Sequence, residues 1–200
     1  MSPFVSVAWP DSGGTPGSID IRTAADTDVG HSRYGIVEMW NDNPAFHTRS
    51  AATTSQVGVR FPNVLIPQGA TITSATVTVY APDNSRNYYS PADDTTVGLE
   101  QADNPVAPAS GTKDSRSINT GTTTTWVQDG GFIYQNNDPM NAIDLTTGMQ
   151  EVVNRAGWAS GNAVVAWFLH GGNGTTANGF RPHQGQASGV TPRLQVEFTY

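Results

Sequence analysis

VGVRFPNVLIPQGATITSATVTVYA, residues 57–81, reads as a strand, a turn and a second strand. Val57, Val59 and Phe61 alternate with Gly58 and Arg60, which predicts one apolar and one wetted face. Pro67-Gln68-Gly69 interrupts the pattern: proline presets φ and glycine supplies a dihedral that other residues avoid. Beyond it, Ala75, Val77, Val79 and Ala81 point one way, and Ser74, Thr76, Thr78 and Tyr80 the other. Valine and threonine at period two suit a pleated, half-buried sheet. The whole stretch is therefore expected to be the central hairpin of a sheet, with its apolar face in the core beside Trp167, Met149 and Phe198.

Outward from this stretch the same grammar recurs. Leu194, Val196, Phe198 and Tyr200 alternate with polar neighbours in a closing strand, and residues 163–170 (AVVAWFLH) are apolar on both faces, as a central strand requires. Short candidate strands also lie at 19–22, 36–40, 95–102 and 115–126, separated by Pro-, Gly- and Asn-rich turns. One helix is expected over 145–155. Asp144 would sit at its N-cap, Leu145, Met149 and Val152/Val153 on one face, and Gly157 just past its end. Trp126, Trp158 and Trp167 read as core. The fold class is all-β: an antiparallel β-sandwich, or jelly roll, with one short crossover helix. Residues 1–18 read as an N-terminal arm and residues 19–200 as a single domain.

Composition narrows the function. A net charge of −7 with Lys113 as the lone lysine opposes a phosphate-backbone partner, so nucleic acid is not expected. A local arginine cluster would still allow an anionic polysaccharide. Without cysteine there are no disulfides, thiolate metal sites or cysteine nucleophiles. No signal peptide and no membrane-spanning stretch is visible, so the chain is expected to act where it is made, or to leave by cell lysis or in an assembled particle; a mature domain with an added initiator methionine would look the same. His31, His47, His170 and His183 are scattered, no Gly-x-Ser-x-Gly elbow exists, and Asp93-Asp94 lies among turn formers. No enzymatic activity is expected.

The order VGVRFPNVLIPQGATITSATVTVYA, then LTTGMQEVVNRAGWASGNAVV, then PRLQVEFTY resembles the DNRLRE-type jelly-roll modules of secreted bacterial surface proteins, over roughly residues 19–200. The DNRLRE letters themselves are absent. The resemblance implies a β-sandwich with a non-enzymatic role in surface attachment or carbohydrate binding, with calcium bound in some members.

Two kinds of site follow from residue types. Sugar recognition needs an aromatic face with planar polar groups around it. Arg86, Tyr88 and Tyr89 in one long loop, and Phe180, Arg181 and His183 in another, supply these. Calcium needs several hard oxygens, which Asp26 and Asp28, with Asp20 nearby in sequence, would provide; an Asx-turn is the other reading of that segment. Two functions remain open. One is a structural module of an assembled particle, such as a phage capsid decoration, head-fibre or tail protein, whose partners are the particle's subunits. The other is a free-standing carbohydrate-binding module recognising a cell-surface polysaccharide, calcium-stabilised. Either would place the chain on a virion surface or outside the cell.

Overall fold

The computed structural model describes residues 14–25, 28–33, 36–38, 56–80, 95–108, 116–126, 138–170 and 191–200. Among the described residues, ten strands form two antiparallel sheets. β1 (Pro16–Arg22), β10 (Arg193–Thr199), β5 (Thr71–Thr78) and β8 (Ile143–Asp144) make one, in that order. The other runs β3 (Ile36–Glu38), β2 (Val29–Arg33), β4 (Gln56–Phe61), β9 (Val164–His170), β6 (Thr95–Leu99), β7 (Thr124–Trp126). One helix, α1 (Thr146–Val153), joins β8 to β9. Residues 14–18, expected in the arm, already belong to the sheet: β1 starts at Pro16, and Thr15 and Tyr200 exchange backbone hydrogen bonds of 2.8 and 3.2 Å.

One cluster of buried apolar side chains draws on both sheets and the helix, among them Val59, Phe61, Val77, Val97, Phe168, Val196, Met149 and Val152. Burying each such side chain contributes on the order of 2 kcal/mol. The 57–81 stretch serves this core, but not as a hairpin. β4 pairs with β2 and β9, β5 pairs with β10 and β8, and residues 62–70 carry the chain from one sheet to the other. Val64, Ile66 and Ala70 on that link are buried, and a nine-residue link with an apolar underside spans the core instead of folding two strands together. Gly69 does take the positive φ expected of it, at 73°. In β5 the strict alternation slips at Thr73, where the register against β10 skips a residue. That bulge lets Ile72 and Ala75, three apart, both face inward.

The helix is shorter than its sequence pattern, because its first cap is Leu145 and not Asp144. The Asp144 carboxylate nonetheless accepts from the Thr146 backbone N–H at 2.9 Å and its hydroxyl at 2.6 Å. α1 then lies along the edge of β5. Gln150 accepts from the Ile72 N–H and donates to the Ala70 carbonyl, and the Thr146 hydroxyl accepts from the Ala75 N–H. Helix side chains thus satisfy an edge that the two-residue β8 is too short to cover.

Trp167 is buried as expected, yet it faces away from the sandwich core. On β9 it pairs with Gly58 on one side and Gly98 on the other. A Cβ on Gly58 would stand 2.8 Å from the indole, and one on Gly98 2.8 Å from Thr123, so both glycines make room for what lies over the sheet. The indole Nε1 donates to Glu100 Oε2 at 3.0 Å, and Arg116 donates to the same carboxylate at 2.9 Å while its guanidinium sits 5.6 Å from the ring. Arg116 also donates to the carbonyls of Val106 and Ala107, and Arg60 to that of Pro105. The Pro/Ala-rich segment 104–108 is therefore a strap that closes the outer face of the larger sheet. Contrary to the alternation in β4, that face is not wet around Gly58.

Both charges of the Glu100–Arg116 pair are buried, with side chains 8 and 6 % exposed. Removing one partner of such a pair leaves the other without compensation. In urea unfolding, Glu100→Ala should lose about 3–5 kcal/mol. The double variant Glu100→Ala/Arg116→Met should lose clearly less than the two single losses added together.

Candidate functional site

Strand register decides which connections share an end of the sandwich. Thr95, the first residue of β6, pairs with His170, the last of β9, and with Trp126, the last of β7. In the other sheet, Thr78 pairs with Arg193 and Tyr80 bridges to Pro139. The roots of segments 81–94, 127–137 and 171–190 therefore meet at one end. Residues 14–15 and 199–200 lie at the other, about 20 Å away for a seven-residue strand. Arg86, Tyr88, Tyr89, Phe180, Arg181 and His183 all lie outside the described residues, but the two segments that carry them start from neighbouring strands in both sheets.

The aspartates predicted to hold calcium are placed differently from one another. Asp28 is buried, and its carboxylate accepts from the Ala24 and Ala25 N–H groups at 3.1 and 3.0 Å and from Arg60 at 3.0 Å. This is a local turn capped by an aspartate and tied to β4 by an ion pair. Asp20 stands on the exposed face of β1 in the other sheet, bound by two hydrogen bonds to Arg193. Asp26 lies outside the described residues. Among the described residues, no three His, Cys, Asp or Glu side chains come together as a metal ion requires.

What gathers at the loop end of the smaller sheet is a set of residues the sequence reading passed over. Arg22 and Arg193 are directly opposite each other on β1 and β10. Arg22 donates to the Thr191 carbonyl at 2.8 Å and to the Tyr80 hydroxyl at 3.3 Å, with its guanidinium 5.5 Å from the Tyr80 ring. The hydrogen bond from Arg193 holds the Asp20 carboxyl below the usual carboxylate range against the opposing effect of burial, with the charges of Arg193 and then Arg22 adding to it. Asp20 in turn raises Arg193, with Tyr80 adding to it. The available signals were the terminal Arg of IDIR and the tyrosine that ends the threonine alternation just before Pro82; neither is distinctive without the register.

Elsewhere the described surface is shallow. A depression of about 160 Å³ lies between Thr122–Thr124 and Asp144–Thr147, and a more open one of about 300 Å³ between Ser18, Thr73, Glu197 and Thr199. No helix among the described residues is long and apolar enough to cross a membrane. Neither protein-family models nor curated proteins give a match to the sequence.

The Asp144 carboxyl is also held low, chiefly by the Thr146 hydroxyl and then by its N–H. A folded-state value below the unfolded one stabilises the fold above the unfolded carboxylate range, and that contribution disappears as pH falls toward the folded value. Thermal melts should therefore lose stability below about pH 4. Asp144→Asn, which keeps an acceptor but does not titrate, should flatten that dependence, while an unchanged slope would remove Asp144 from the account.

Proposed function

We propose that the chain is a non-enzymatic structural and attachment module, a surface component of an assembled virion such as a capsid decoration, head-fibre or tail protein. The observation that supports this reading is the two-ended layout of the sandwich. Residues 1–13 join it at the end where Thr15 and Tyr200 pair, and the loop roots stand at the opposite end. An arm at one end suits docking onto a neighbouring subunit, and loops at the other suit contact with what the particle meets. A jelly-roll fold is part of the proposal. Set β2 and β3 aside and eight strands remain, β1-β10-β5-β8 in one sheet and β4-β9-β6-β7 in the other, with the chain changing sheet at every connection except β6 to β7.

The second reading, a polysaccharide-binding module, is favoured by one specific observation. Two segments far apart in the chain, 81–94 between β5 and β6 and 171–190 between β9 and β10, each rich in the aromatic and planar polar groups that suit sugars, are rooted on strands that neighbour each other in both sheets. The two readings are compatible, since an attachment protein needs a receptor.

Deletion of residues 1–13 separates arm from fold, because sheet pairing begins only beyond them. The truncated protein should unfold as cooperatively as the full chain yet fail to co-sediment with particles. Full incorporation without those residues would overturn the docking role. Tyr88→Ala and Phe180→Ala should leave incorporation intact and abolish glycan-array signal if the loops bind sugar.

A further inference from the structure

Like charges directly opposite on neighbouring strands are unfavourable, and sequences ordinarily avoid them. Arg22 and Arg193 break that rule on the exposed face of β1 and β10. Asp20 forms an ion pair with Arg193, and its charge also acts on Arg22. Among the five arginines with described side chains, Arg60, Arg116, Arg155 and Arg193 each form an ion pair with a carboxylate, and Arg22 forms none with a described residue. It is held by two neutral oxygens, the Thr191 carbonyl and the Tyr80 hydroxyl, so its position is fixed, and among the described residues the charge that reaches it is that of Asp20, two residues along the same strand face. Beside it stand the half-buried Tyr80 and the strand-end hydroxyl of Thr78, which pairs across from Arg193. A fixed guanidinium, a second one across the strand and a phenol form a donor-rich patch on a sheet face that is otherwise flat.

Resting on the polysaccharide reading for its choice of ligand, we propose that Arg22, Arg193 and Tyr80 form a subsite for the carboxylate of an acidic sugar, a uronate unit in a longer chain. The geometry favours a carboxylate because the guanidinium fork matches its two oxygens. The flat face flanking it, with Ser18, Asp20 and Gln195 exposed along β1 and β10, presents hydroxyl, carboxylate and amide groups to the neighbouring sugar hydroxyls. A net charge of −7 opposes indiscriminate polyanion binding, so recognition depends on this local positive patch. The interaction is accordingly sensitive to salt, and neutral glucans do not compete for it.

Affinity electrophoresis in gels containing polygalacturonate, with dextran gels as the neutral arm, tests this on the full chain. Wild type should be retarded by polygalacturonate and not by dextran. Arg22→Ala should weaken that retardation about tenfold, and Arg22→Lys should restore part of it. Because Arg22 is exposed and opposes another cation, the alanine variant should keep its circular dichroism spectrum and lose no thermal stability. Equal retardation of wild type and Arg22→Ala, no retardation of wild type, or equal retardation by dextran would each overturn the proposal. Displacement by inorganic sulfate as effective as by galacturonate would reduce the subsite to a simple anion site and overturn its sugar class. None of these results depends on particle incorporation, so failure here and failure of the docking role are read separately.

Discussion

β9 has to be buried on both faces, and most of the architecture follows from that. Its inward side chains, Val164, Ala166 and Phe168, complete the core between the sheets. Its outward ones, Val165 and Trp167, would be left in water by a two-layer sandwich, and an exposed indole and valine on a central strand would forfeit several kcal/mol of burial. The remedy is a third, partial layer. Gly58 on one neighbouring strand leaves room for the indole, Gly98 on the other leaves room for Ile118 and Thr123, and residues 100–108 with 116–118 cover the indole. Backbone carbonyls of that strap face inward and need donors, which the guanidinium groups of Arg60 and Arg116 provide. Once Arg116 is buried there, its charge requires Glu100, and Glu100 in turn gives the indole N–H an acceptor.

The smaller sheet faces the opposite problem and resolves it differently. Its outer face carries Ser18, Asp20, Arg22, Arg193, Gln195, Glu197, Ser74 and Thr76, and the described residues leave it open. One edge is closed by α1 through Gln150 and Thr146. The other, β1, begins with a proline and turns charged side chains outward, which discourages pairing with another chain's edge. Function is therefore sought on the open face and at the loop end, because the larger sheet has used its own outer surface for stability.

Period-two alternation made β5 and β10 readable, and the double-sided apolarity of residues 163–170 marked β9 as central. Partner strands were another matter. Residues 57–81 look like a hairpin because local pattern reports which face is apolar but not which sheet a strand joins; only the buried underside of residues 62–70 distinguishes a link across the core. Trp167 reads as core for a similar reason: burial is legible in a hydrophobic run, but the room for its indole on the outer face is left by Gly58, more than a hundred residues away in the chain. Asp26 and Asp28 suggest a cation because the sequence shows carboxylates and not the two amides and the guanidinium that occupy Asp28.

The same reasoning explains why Arg22, Tyr80 and Arg193 could not be read as a group. They are separated by more than fifty and more than a hundred residues, and each is unexceptional in its own segment. Register alone makes them neighbours, and register is set by the core, through Ile19, Ile21, Leu194, Val196 and Val77 on the buried side of the same three strands. A one-residue slip would turn all these apolar groups outward, so the core enforces the juxtaposition of the two arginines despite their repulsion. Asp20 pairs with Arg193 and its charge also reaches Arg22, so both guanidinium groups are held in place on a rigid sheet before any ligand arrives, and an anion binding there would not have to order the site. That is how a strongly acidic protein can hold a cationic patch on a surface where its overall charge would predict none.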